Sequence, residues 1–236
     1  MTRRYWLILL TYIAAQFSFI VITPIIQLIT PLDEAHALVY SNIIGFVIGF
    51  IAILIILKPE MMKQPVRGAA DFGQVILWSF LGIFLAFGSQ IIAGMIETYL
   101  FGIDAGSENT ANLIEISRNI PLFTILPTII APVLEEIVFR KVIFGSLYKR
   151  FNFFIAGILS ALIFGVVHLE IEHLLVYTAM GFVFAFLYVQ TKRIIVPIIV
   201  HAAMNTLVVL YQLSLTPEQI EQMERLREQL QSLILP

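Results

Sequence analysis

Apolar runs close to the length needed to cross about 30 Å of hydrocarbon follow one another along this chain with little between them. Seven can be drawn: roughly Tyr5 to Ile29, Ala37 to Leu57, Val75 to Tyr99, Pro121 to Tyr148, Phe153 to Leu169, Leu174 to Tyr188 and Ile194 to Leu213. None alternates as a barrel strand would, and backbone groups in lipid must pair within their own segment, so such runs can only be helices. The expected fold is all-α, a polytopic transmembrane helix bundle of about seven spans. With 59% of residues hydrophobic and 13% charged, the chain lies far from an ordinary globular domain. A formal charge of -2 gives no basic footprint, so nucleic acid is not an expected partner. There is no cysteine, which removes disulfides, thiolate metal ligands and a cysteine nucleophile.

Lysine and arginine cluster in alternate connections: Arg3 and Arg4, then Lys58, Lys63 and Arg67, then Lys149 and Arg150, then Lys192 and Arg193. The positive-inside tendency places these in the cytoplasm, so a multi-pass protein of the cell membrane with a cytoplasmic amino terminus is expected. The opposite connections carry Asp33 and Glu34, Asp104, Glu108 and Glu115, then Glu170 and Glu172, with Arg118 the basic exception. The first apolar run is too long for a signal-peptide core and is read as a retained span. Pro121, Pro127 and Pro132 must bend or break the outer part of the fourth run. Three regions are expected: residues 1–119 with three spans and a polar outer loop, 120–213 with the chemistry-bearing helices, and a tail over 214–236. In the tail, Thr216, Pro217 and Gln219 form a helix start. Ile220, Met223, Leu226, Leu230 and Leu233 then recur at helical spacing opposite Glu218, Glu221, Glu224 and Glu228, an amphipathic helix suited to the membrane surface.

Ionisable groups at bilayer depth mark function by default, and Glu135 and Glu136 sit side by side in the fourth run, four residues ahead of Arg140 at its second carboxylate. At about 1.5 Å per residue, Glu135 and His168 lie roughly 22 to 27 Å from the same turn at Arg150 to Asn152 and can face each other. His201 and Asn205, four apart, share a helix face in the last run. Taken singly, the glutamates read as an ion pair with Arg140 and Lys141, His168 as an interhelical donor, and His201 as a packing residue among small side chains. Together they point to one polar cavity. His36 and His173, in outer loops beside carboxylates, read as solvated, and the glycines at 157, 165 and 181 as close-packing positions.

Glu135-Glu136-Ile137-Val138-Phe139-Arg140, Phe164-Gly165-Val166-Val167-His168 and His201-Ala202-Ala203-Met204-Asn205 resemble the EExxxR, FxxxH and HxxxN motifs of the CPBP intramembrane proteases, the group containing the type II CAAX endopeptidases and bacterial Abi proteins. The resemblance covers about Ile120 to Leu210. It implies an intramembrane endopeptidase acting on a membrane-associated or secreted peptide. Glu135 would activate water as general base, and His168 would hold that water or move its proton. His201 and Asn205 would donate to the oxyanion, about 3 to 4 kcal/mol per donor in known cases, with Glu136, Arg140 and Phe164 in support. No cofactor is needed. The alternative is a zinc enzyme with Glu135, His168 and His201 as ligands; a non-enzymatic scaffold, immunity protein or proton-coupled transporter is the alternative outside proteolysis.

Overall fold

The computed structural model describes residues 1–104 and 106–234, and the side chains of these except at 217, 224, 227, 228 and 230–234. The helices are α1 (Arg3–Gln16), α2 (Phe19–Ile29), α3 (Glu34–Met61), α4 (Phe72–Phe101), α5 (Glu108–Asn119), α6 (Pro121–Leu147), α7 (Phe153–Val167), α8 (Leu174–Thr191), α9 (Ile195–Ser214) and α10 (Pro217–Ile234). Five of them, α3, α4, α6, α9 and α8 with its leading turn from Ile171, are long and apolar enough to span a bilayer. The α1–α2 pair, bent by 44°, makes a sixth span. The fifteen-residue α7 is shorter than a full span, and with it the expected seven are all accounted for.

The bend in the first run has a local cause. Ser18 turns its hydroxyl back to the Ala15 carbonyl at 2.8 Å, and Ala15 and Ser18 press onto α3 where Gly49 and Gly45 leave no side chain in the way. Between α4 and α6 the sequence suggested a polar loop with at most a short surface helix. The twelve-residue α5 forms there, capped by the Ser107 hydroxyl, which accepts from the Thr110 amide at 3.0 Å.

Two apolar cores flank the centre. One joins α1, α3 and α6 around Ile8, Tyr12, Ile53, Leu134 and Phe139. The other joins α4, α8 and α9 around Ala86, Phe184, Leu187 and Val200. α6 runs between them: 61% of its apolar window is buried, against 17% to 33% for the other long helices. Charged residues on α6 therefore face protein instead of lipid, the arrangement that makes them tolerable at this depth.

The tail helix begins as its sequence indicated, with Thr216 and Gln219 exchanging hydrogen bonds at 2.9 and 3.3 Å. Its Met223 and Leu226 stay exposed, while Ile220 is half-buried and the Met223 sulfur accepts from the Tyr211 hydroxyl of α9 at 3.8 Å. The side chains of Glu224, Glu228, Leu230 and Leu233 lie outside the described residues.

Candidate active site

α6 is not a regular helix. A 3-10 turn at Pro121–Thr124 leads into widened, π-helical turns at Leu126–Ile130 and Glu136–Phe144, with one α-helical turn, Ala131–Glu135, between them. Single π turns inside α-helices are frequent at functional sites. The first has a covalent cause. The Ala131 amide donates five residues back to Leu126, and the next such donor would be Pro132, which has no N–H. The Pro127 carbonyl this leaves without a helical donor accepts from Asn205 Nδ2 of α9 at 2.9 Å. A second carbonyl of the widened helix, Phe139, accepts from Ser160 of α7 at 2.9 Å. The stretch with the three prolines thus stays one continuous helix of irregular turns, tied to α9 at the Pro127 carbonyl.

The motif residues converge. His201 Nδ1 lies 2.8 Å from Glu136 Oε1, so it is the donor to that carboxylate, and Nε2 points to Glu135 Oε2 at 3.8 Å. Glu136 is fully buried, and its other oxygen lies 3.1 Å from Arg140 Nε, a close charge contact without hydrogen-bond alignment. The Arg140 guanidinium is enclosed by rings, its carbon 4.2 Å from the Phe164 centroid and 5.0 Å from that of Phe184, a desolvated setting in which cation–π attraction is strongest. Glu136 therefore bridges a cation and an imidazole, a fuller role than the Arg140 partner inferred from sequence. Lys141, the other cation considered for the glutamates, instead pairs with Glu60 at 3.1 Å.

His168 closes α7. Its Nδ1 lies 2.7 Å from the Phe164 carbonyl, an acceptor, so Nδ1 carries the proton and Nε2 is left as the acceptor in the neutral ring. The ring stacks on Tyr177 with centroids 4.2 Å apart and meets the edge of Phe164 at 4.4 Å. Immediately afterwards Leu169 takes a left-handed conformation, φ 60°, which ends the helix at some steric cost. The Tyr177 hydroxyl donates to Glu170 at 2.6 Å, and Glu170 also accepts from the Asn109 amide at 2.7 Å and the Ser107 hydroxyl at 2.8 Å. Burial alone would raise the Glu170 carboxyl, but these donors prevail and hold it below the usual carboxylate range.

Glu135, Phe164, His168, His201 and Asn205 all line one cavity of about 840 Å³, while Glu136 and Arg140 lie behind its wall. Several lining residues escaped the sequence reading. Tyr12 and Gln16, bonded to each other at 2.9 Å, share a face of α1. Glu97, 2% exposed, receives the Val176 amide at the start of α8 and pairs with His173 Nδ1 at 3.0 Å. His173 is thus a partner of a buried carboxylate and not the solvated residue expected, whereas His36 does sit at the surface beside Asp33. Part of the signal for Glu97 was available: it is the one carboxylate inside the third apolar run, but it stands two residues from the end of that run, where the depth rule that singles out Glu135 is weak. The glycines at 157, 165 and 181 are close-packing positions, meeting Phe182, Leu174 and Ala161 respectively.

Among the described residues no three His, Asp or Glu side chains are grouped as a metal site requires. His201 and His168 each direct Nδ1 to an oxygen acceptor and keep Nε2 free, the tautomer that a zinc ligand also needs.

The chain is a multi-pass membrane protein with a polar site inside its bundle, and its likeness to known proteins fixes the class. Residues 117–207 match the family described as type II CAAX prenyl endopeptidase Rce1-like. The chain is 46% identical over 230 residues to the Bacillus subtilis (strain 168) protein named "Putative membrane peptidase YdiL", covering 94% of each. It is 37% identical over 234 residues to the Staphylococcus aureus (strain USA300) "Membrane-embedded CAAX protease MroQ", covering 92% of this chain and 93% of that protein. No solved structure matches it. The chain belongs to the Rce1-like CAAX protease family. It is a membrane peptidase.

Proposed function

We propose that the protein cleaves an internal peptide bond of a membrane-associated or secreted peptide, in the cell membrane and with its amino terminus in the cytoplasm, by a glutamate-activated water and without a metal. The observation that carries this reading is the pairing of Glu135 with His201 Nε2 on the wall of a cavity that also holds His168 and Asn205. Glu135 takes a proton from water as the oxygen attacks the scissile carbonyl carbon. The resulting oxyanion accepts from the second amide hydrogen of Asn205, the first being held by Pro127, and from Nε2–H of His201 in the form that carries a proton on both ring nitrogens, Nδ1 being spent on Glu136. His168 accepts from the water at Nε2 and orients it, and the proton that Glu135 has taken passes to the departing amine nitrogen, directly or by way of His168 Nε2, as the C–N bond breaks. Glu136, gripped by Arg140, keeps the His201 ring in register and is a positioning residue.

The test is cleavage of a fluorogenic peptide library by the purified full chain in liposomes, for the native protein and for Glu135→Gln, each with and without a zinc chelator. The mechanism requires cleavage that the substitution abolishes and the chelator leaves intact. Chelator sensitivity would restore the zinc alternative. A library left uncut by the native protein, with Glu135→Gln cells behaving as wild type, would favour a scaffold or transporter.

A further inference from the structure

We infer that the substrate reaches Glu135 from the non-cytoplasmic side, through the end of the bundle where residues 106–110 line the cavity and between α3 and α4. The bond cut then belongs to an exported or externally exposed segment and not to a cytoplasmic tail. The inference rests on the peptidase reading for what is done in the cavity, but its geometry is independent of it.

All the spans share two ends, and one of these is closed. At the basic end Glu60 of α3 is held by Arg4 of α1 at 3.5 Å and by Lys141 of α6 at 3.1 Å. The connection from α3 to α4 is pinned across the α8–α9 turn: Ala70 donates to the Thr191 carbonyl at 2.9 Å, Arg193 to Ala70 at 3.0 Å and Lys192 to Arg67 at 3.1 Å. Beneath them Phe144, Ala156 and Ala185 pack with Tyr188 into a separate apolar plug. Among the described residues, none from 58–71, 148–152 or 192–194 lines the cavity.

The other end is where the cavity goes. Its wall includes Asp104, Ser107, Asn109 and Thr110 from the segment leading into α5, and His173 ahead of α8. His168, at the last turn of α7, also belongs to this end. The wall also includes Asn42 and Phe46 of α3 and Gln90 and Met95 of α4. These helices have different neighbours, α3 packing on α1, α2 and α6 and α4 on α8 and α9, so a peptide segment can pass between them from the bilayer.

Orientation follows from charge. Arg3, Arg4, Lys58, Lys63, Arg67, Lys149, Arg150, Lys192 and Arg193 all lie at the closed end, which the positive-inside tendency places in the cytoplasm. Arg118 is the exception at the open end and has a structural task, donating to the Gln212 and Leu215 carbonyls where α9 finishes.

The cysteine-free chain allows a direct test. Single cysteines are placed on the cavity wall, Thr110→Cys and Val208→Cys, and at the closed end, Lys149→Cys, in the full-length protein. Each is exposed to a membrane-impermeant maleimide in intact spheroplasts and in inside-out vesicles. The inference requires positions 110 and 208 to be labelled in spheroplasts and 149 only in inside-out vesicles. Labelling of 208 only in inside-out vesicles, or from neither side until detergent is added, would overturn it. Because the readout is thiol access, outside labelling of 208 in a protein that cuts no peptide would leave the route standing and remove only the peptidase mechanism.

Discussion

Consecutive residues on a helix diverge by about 100°, and the two adjacent glutamates consequently meet different surroundings. Glu136 is fully buried between Arg140 and His201, whereas the Glu135 side chain keeps 15% of its surface on the cavity. Neutralising Glu136 leaves a buried guanidinium without its nearest anion, so Glu136→Gln is expected to destabilise by about 3–5 kcal/mol. Glu135→Gln should leave the unfolding transition in detergent close to that of the native protein. A Glu136→Gln protein as stable as the native one would show that ring contacts alone satisfy Arg140. Tyr177 offers a finer case, since its ring stacks on His168 while its hydroxyl holds Glu170. Tyr177→Phe keeps the stack and should keep most of kcat, whereas Tyr177→Ala should lower kcat more than it changes KM. Equal effects of the two would contradict a positioning role for the ring.

At the scale of elements, α6 carries the argument, because one missing N–H at Pro132 frees the Pro127 carbonyl that Asn205 then takes. Pro132→Ala supplies a competing donor. It is expected to raise or preserve thermal stability while lowering kcat/KM, and unchanged activity would mean that Asn205 does not depend on the missing donor. The packing of α1 on α3 is more rigid: a Cβ at Gly49 would sit 2.6 Å from the Ala15 Cβ, which has no rotamer by which to retreat. Gly49→Ala should therefore destabilise by about 1–3 kcal/mol, measured by thermal unfolding in one detergent. Sequence periodicity made the spans legible because lipid leaves a long apolar run little other choice. It could not place the break near Ser18 or the fold of α5, since both depend on neighbours: glycines on α3 in one case and Glu170, sixty-three residues from Ser107, in the other.

For the molecule as a whole, Glu170 links acidity to the shape of the open end. Its carboxyl is held low when folded, so its contribution is fully present above the ordinary carboxylate value of about 4.3 and is lost as pH falls through its lowered folded value. The protection of the Asn109 amide against hydrogen exchange, relative to an unfolded amide at the same pH, should accordingly fall on acidification through that range, and Glu170→Gln should exchange quickly even at neutral pH. Slow exchange in that variant would show that the segment is held by other contacts. The site was legible where polar residues interrupt apolar runs, as Glu135, Glu136, His168, His201 and Asn205 do. Tyr12, Tyr177 and His173 were hidden because aromatic rings and loop histidines are ordinary in such sequences, and only the tertiary packing that brings α1 and the start of α8 to one space makes them part of one cavity. The central claim is that Glu135 activates the water, and single-turnover cleavage by purified Glu135→Gln in liposomes, with folding checked by thermal unfolding, tests it most directly. A rate lower by about 10²–10⁴-fold with an unaltered unfolding transition is the expected result; a folded Glu135→Gln protein cutting at the native rate would contradict it.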